Sequence, residues 1–152
     1  MTKNASALSE SLEDYLEAIF CIIDQRKVAR PKDIIARMNV SGASVTGALR
    51  LLAERKLICY APHDLISFTI EGAKIAGEIY RRHLNLRTFL TDVLLIESQQ
   101  ADEAACKMEH VLPDTIIGRM VQLADFLQQK PAFARQWRDT LTGENDSAHE
   151  ES

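Results

Sequence analysis

At 152 residues the chain can bury one fair-sized core, or a small domain with an appended helical module. Its apolar runs are short and broken by charges, which argues against a signal peptide or membrane span and for a cytoplasmic protein; Cys21, Cys59 and Cys106, with no CxxC spacing, argue for reduced thiols rather than a disulfide framework. The net charge of −4 would weigh against nucleic acid if evenly spread, but residues 26–56 carry eight Lys/Arg against two Asp/Glu.

After a small, polar start, Ser9 or Ser11 can cap a first helix, with Glu13 and Asp14 in a favourable first turn. Leu12, Tyr15, Leu16, Ile19, Phe20, Ile22 and Ile23 form an apolar stripe that carries this helix to about Gln25. Asp14 and Glu17 lie one turn apart beside the stripe, where spacing alone reads them as a solvated acidic edge. Pro31 then opens a short helix with Ile34, Ile35 and Met38 on one face, and Asn39 can end it. Ser41-Gly42-Ala43-Ser44 reads as a tight turn with a capping residue, and Val45, Leu49 and Leu52 carry a second helix to Arg55.

Two short helices joined by a brief glycine-containing turn make a helix-turn-helix, whose second helix can enter a major groove. Its open face would show Ser41, Ala43, Ser44, Thr46, Gly47 and Arg50: small and hydroxylated residues allow close approach, and the arginine can grip phosphate or guanine. Arg30 and Lys32 belong to the same basic segment. Leu57–Tyr60 and Leu65–Ile70 read as two strands around a turn that contains His63, which makes a wing; Cys59 is read as a buried strand thiol and His63 as an exposed residue within reach of phosphate.

A long helix is expected from about Ala73 to Val93, with His83 in its middle as an unremarkable surface histidine. Another is expected from about Asp102 to Leu112. It carries Cys106, Glu109 and His110, a thiolate, a carboxylate and an imidazole at spacings that share one helix face. These donors make half a metal site at best. Pro113-Asp114-Thr115 starts a helix whose broad apolar face (Ile116, Ile117, Met120, Leu123, Ala124, Leu127) suits a dimer interface. Pro131 begins a last short segment in which Phe133 and Trp137 can pack, and residues 142–152 read as a disordered acidic tail.

Leu12-Glu13-Asp14-Tyr15-Leu16-Glu17-Ala18-Ile19-Phe20, the helix-turn-helix of Arg30 to Leu57, Arg82-His83 and Cys106-Lys107-Met108-Glu109-His110-Val111-Leu112 together resemble the DtxR/MntR family of metal-activated repressors. The likeness runs from about Ser9 to Leu127, with several motifs in the family's order. It implies that Asp14, Glu17, His83, Cys106, Glu109 and His110 converge on a metal, against the bland readings of the first three. It also implies a mainly α fold: a winged helix-turn-helix with a small β-hairpin wing over residues 1–72, then an all-helical dimerisation and metal-binding domain over 73–141.

Three departures sharpen the expectation. Manganese-responsive relatives have a carboxylate where Cys106 stands, and iron-responsive relatives have a methionine where Asp14 stands, so this chain mixes the two sets. The SH3-like domain of longer iron-responsive members has no room here, which points to the short architecture. Arg87 and Asp102 stand where iron-type relatives use Glu and His in an ancillary site.

The function expected is therefore a homodimeric repressor, not an enzyme, that is activated by Mn(II) or Fe(II), with Zn(II) or Co(II) binding in vitro. It would act on a palindromic double-stranded operator of metal-homeostasis genes. A second reading keeps the winged helix but makes it metal-independent, with Cys106 as a redox or ligand-sensing thiol. An enzyme using Cys106 and His110 as nucleophile and base is the weakest reading, since neither an oxyanion hole nor a substrate cleft is evident.

Overall fold

The computed structural model describes residues 7–147 except 62 and 64, so the end of the expected tail, 148–152, lies outside the described residues. The chain divides between Tyr80 and Arg81 into two units, each with its own hydrophobic cluster.

In the first unit, α1 (Glu10–Arg26) starts where Ser9 accepts from the Leu12 N–H at 3.3 Å, with Glu10 and Glu13 in its first turn. Leu12, Tyr15, Leu16, Ile19 and Ile22 recur every three or four residues and are all buried. Leu16 and Ile19 are fully so, each stabilising by about 1.5–3 kcal/mol. Helix α2 (Pro31–Met38) ends at Asn39, whose left-handed backbone (φ 53°) turns the chain into α3 (Gly42–Glu54). Val45, Leu49 and Leu52 seat α3 in the same core as Ile34 of α2.

Sequence spacing put Gly42, Ala43 and Ser44 in the turn, but they form the first turn of α3. Ser41 is its cap, accepting from the Ser44 N–H at 3.1 Å. The wing is the antiparallel pair β1 (Ile58–Cys59) and β2 (Ser67–Phe68), shorter than the two strands expected. Cys59 is exposed, which corrects its reading as a buried thiol: successive strand residues face opposite sides, and Ile58 takes the buried one. An isolated bridge between Ala29 and Ile66 ties the base of the wing to the segment before α2.

Helix α4 (Ile70–Thr88) begins three residues earlier than periodicity suggests. The Thr69 hydroxyl donates to the Lys56 carbonyl at 2.7 Å and accepts from the Gly72 N–H at 3.0 Å, which fastens the helix start to the chain leaving α3. The unit boundary falls inside α4, eight residues beyond the boundary at residue 72 drawn from sequence.

In the second unit α4 passes into a π-helical turn, Phe89–Val93, closed by Leu94 N–H to Phe89 O at 3.3 Å. Helix α5 (Ser98–Met108) starts earlier and ends earlier than expected. Glu97 caps it by accepting from the N–H groups of Gln99 and Gln100, and those bonds hold the Glu97 carboxyl below its ordinary pKa. Helices α6 (Asp114–Gln129) and α7 (Pro131–Ser147) complete the unit. The last helix is not the short segment expected: it continues through residues 142–147, which corrects the expectation of a disordered tail there. Trp137 anchors it by donating to the Val93 carbonyl at 2.6 Å.

Candidate metal centre and nucleic-acid interface

Arg30, Lys32, Thr46, Arg50 and His63 line a groove of about 710 Å³ to which the wing adds Tyr60. Arg30, Lys32, Arg50 and His63 are exposed, as are Ser41, Ala43, Ser44 and Gly47; Thr46 is half-buried and donates to the Gly42 carbonyl at 3.0 Å. A Cβ added at Gly47 would meet nothing within 4 Å, so packing within the protein does not require this glycine. Spacing missed Tyr60. The available signal was an aromatic next to the wing turn, which can lie along a sugar-phosphate backbone.

The second unit gathers acidic and imidazole donors around Glu109. Glu109 follows α5 as its C-cap and keeps helical dihedrals, bonding back to the Ala105 carbonyl at 3.0 Å; His110 lies in the turn beyond. The shared helix face expected for Cys106 and Glu109 therefore holds, while His110 reaches the cluster from a turn. Ligand atoms of Cys106, Glu109 and His110 lie within 4.8 Å of one another. His83 joins them from α4, with Nδ1 2.8 Å from Glu109 Oε2, and at 7% exposure it is not the surface histidine that its isolated position suggested.

Two further residues that spacing did not assign to the centre hold it in place. Arg82 donates to the carbonyls of Glu109 and Leu112 and to the Asp114 carboxylate, so carbonyls left over at the end of α5 have a cation to accept from. Asp102 lies 3.0 Å from His83 Nε2.

The donors fit a divalent transition metal. Glu109 is 2% exposed, and its Oε1 has no hydrogen-bond partner, with His110 Nε2 at 3.5 Å. Leaving an ordinary buried polar atom unpaired costs about 1–3 kcal/mol, and a charged one more; a cation bound there would relieve that cost. Ligand bonds of about 2.0–2.3 Å allow two donors to one ion to stand up to roughly 4.5 Å apart, so the cluster needs only slight closure. Asp14 and Glu17, the remaining candidate ligands, are half-buried on α1 of the first unit.

Comparison with known proteins agrees with this division of labour. The family model described as iron dependent repressor, N-terminal DNA binding domain, matches residues 7–64, and the model described as iron dependent repressor, metal binding and dimerisation domain, matches residues 69–138. An uncharacterised HTH-type transcriptional regulator of Methanocaldococcus jannaschii is 31% identical over 114 residues, covering 74% of this chain and 91% of that protein. The diphtheria toxin repressor of Corynebacterium glutamicum is 26% identical over 124 residues, covering 82% of this chain and 54% of that one. A solved manganese-dependent transcriptional repressor in complex with manganese shares 27% identity at a TM-score of 0.67, covering 76% of this chain and 53% of that one.

The chain belongs to the iron-dependent repressor family of metal-dependent, DNA-binding transcriptional regulators, whose second domain binds metal and dimerises. It spans about half the length of the diphtheria toxin repressor and of the manganese-dependent repressor. Among the described residues no helix is long and apolar enough to cross a membrane.

Proposed function

We propose that the chain is a cytoplasmic, homodimeric repressor of metal-homeostasis genes that binds a palindromic operator when Mn(II) or Fe(II) is bound. The observation that carries this reading is the buried Glu109 carboxylate, with one oxygen on His83 and the other lacking a hydrogen bond, beside Cys106 and His110. Asp14 and Glu17 are the further ligands, contributed by the DNA-binding unit when metal binds. A divalent ion supplies the positive charge that lets carboxylates, a thiolate and imidazoles share one point. The Cys106 thiolate favours Fe(II), Co(II) or Zn(II), while the carboxylates suit Mn(II).

The rest follows from the chain's own groups. Ligands on α1 tie the DNA-binding unit to the dimerising one, which fixes the separation of two recognition helices near one or more helical turns of DNA, roughly 34 Å each. Without that tie, ordering the two units costs entropy and operator binding weakens. For the dimer, α6 and α7 offer exposed Leu123, Phe126 and Phe133 around a groove of about 460 Å³ that Phe89, Val93 and Trp137 also line. A metal-independent redox role for Cys106 is less well supported: reactive thiolates have electropositive surroundings, whereas Cys106 is half-buried beside the Glu109 carboxylate.

Operator binding measured with Mn(II), Fe(II), Zn(II) and chelator tests the reading. Tight binding with Mn(II) or Fe(II) and weak binding in chelator is expected; equal affinity in all four conditions would refute it. Arg50→Ala is expected to weaken binding and, if Arg50 grips a phosphate, to lower the slope of log K against log salt by about one unit. An unchanged slope and affinity would remove Arg50 from the interface.

A further inference from the structure

Among the groups around Glu109, Asp102 lies outside the proposed ligand set. We propose that Asp102 is a positioning residue for the metal centre, holding the His83 ring so that Nδ1 is the nitrogen presented to the metal. This rests on the metal-binding reading above.

His83 is buried and has a carboxylate oxygen at each ring nitrogen: Glu109 Oε2 2.8 Å from Nδ1 and Asp102 Oδ1 3.0 Å from Nε2. An imidazole ligates a metal through one nitrogen only, and the N–H on the other needs an acceptor. Metal-binding histidines commonly donate that N–H to a carboxylate, which fixes both tautomer and ring orientation. Glu109 sits with the other donors, so its side of the ring is the metal side, and Asp102 is the acceptor behind it.

Asp102 also faces an arginine, in an ion pair without a hydrogen bond. Arg87, one turn beyond His83 on α4, places Nε 3.3 Å from Asp102 Oδ1, and its terminal nitrogen donates to the Ser98 hydroxyl at 2.9 Å. The Asp102 side chain is 57% exposed, so its loss leaves no cavity and no buried polar atom of its own. Arg82 fixes the backbone of Glu109 from the position next to His83, so α4 grips the centre through two consecutive residues with different tasks.

The test compares the full chain with Asp102→Ala, Asp102→Glu, His83→Ala and the double variant Asp102→Ala/His83→Ala, titrating each with Co(II) and following its visible spectrum. Thermal melting checks the fold, and histidine ¹⁵N shifts report the tautomer of His83 in the metal-loaded protein. Asp102→Ala is expected to bind Co(II) about 10–100-fold more weakly than the wild type, with an altered visible spectrum and a changed His83 tautomer, in a protein that still melts cooperatively but at a somewhat lower temperature, because the buried His83 N–H loses its acceptor. Asp102→Glu is expected to recover part of the loss. In the His83→Ala background, removing Asp102 is expected to cost nothing further, because its effect passes through that ring. Wild-type affinity and tautomer in Asp102→Ala, or a full additional loss in the double variant, would overturn the inference while leaving the metal centre standing. A wild-type protein that binds no Co(II), Mn(II) or Fe(II) would overturn the metal-binding reading and the inference with it.

Discussion

Replacing Glu109 by glutamine is expected to weaken divalent-metal binding by at least about 100-fold and to abolish metal-dependent operator binding. Disturbing a residue that merely orients a ligand costs 10–100-fold, so losing a ligand's charge falls at or beyond the top of that range. Glutamine keeps the shape of the side chain, and its amide can still donate to His83 Nδ1, at the place where Glu109 Oε2 now stands 2.8 Å away. What it removes is the negative charge at the oxygen that has no hydrogen bond. The fold is therefore expected to survive while the metal response does not, which calorimetric titration and operator binding separate. Metal affinity within about tenfold of wild type, 1.4 kcal/mol, would show that Glu109 is not a ligand.

Gly72→Ala carries the largest expected effect on stability. A Cβ at this position would lie 1.7 Å from the Leu57 carbonyl oxygen and 2.6 Å from its carbon, and backbone atoms cannot rotate aside as a side chain can. The same carbonyl accepts from the Thr69 N–H at 3.1 Å, so relief would break the fastening between α4 and the chain leaving α3. A loss of about 3 kcal/mol or more is expected, a large part of the 5–15 kcal/mol available to a folded domain. Gly47→Ala makes the same chemical change in the open, where nothing lies within 4 Å, and is expected to stabilise α3 by up to about 1 kcal/mol. Denaturant unfolding of both variants checks the pair; Gly72→Ala within about 0.5 kcal/mol of wild type would contradict the close approach.

Much of the architecture was legible because it is encoded locally. The stripe from Leu12 to Ile22, the Pro31 start and Asn39 stop of α2, and the spacing of Val45, Leu49 and Leu52 all follow from helical periodicity and terminal chemistry. Composition likewise located the basic segment, of which Arg30, Lys32 and Arg50 line one groove together with Glu54. Cys59 shows where local reading ends: a strand-like run does not say which face is covered, and the face opposite buried Ile58 is open. Helix ends shifted for the same reason. Glu97, Ser41 and Thr69 acquire their capping roles from bonds that spacing ranks no higher than their neighbours'.

The amino-acid sequence by itself determined the types of donor and their order along the chain: carboxylates in the first helix, a histidine in the long helix, then Cys106, Glu109 and His110 within five residues. Only the tertiary structure decided that His83 is buried against Glu109, that Arg82 holds the Glu109 carbonyl from the adjacent position, and that Asp102 stands behind the His83 ring. Those contacts join residues 19 to 27 positions apart, between α4 and the segment formed by α5 and its C-terminal turn. Their existence depends on how two helices pack, and the 3.6-residue period that reveals each helix carries no record of its rotation against the other.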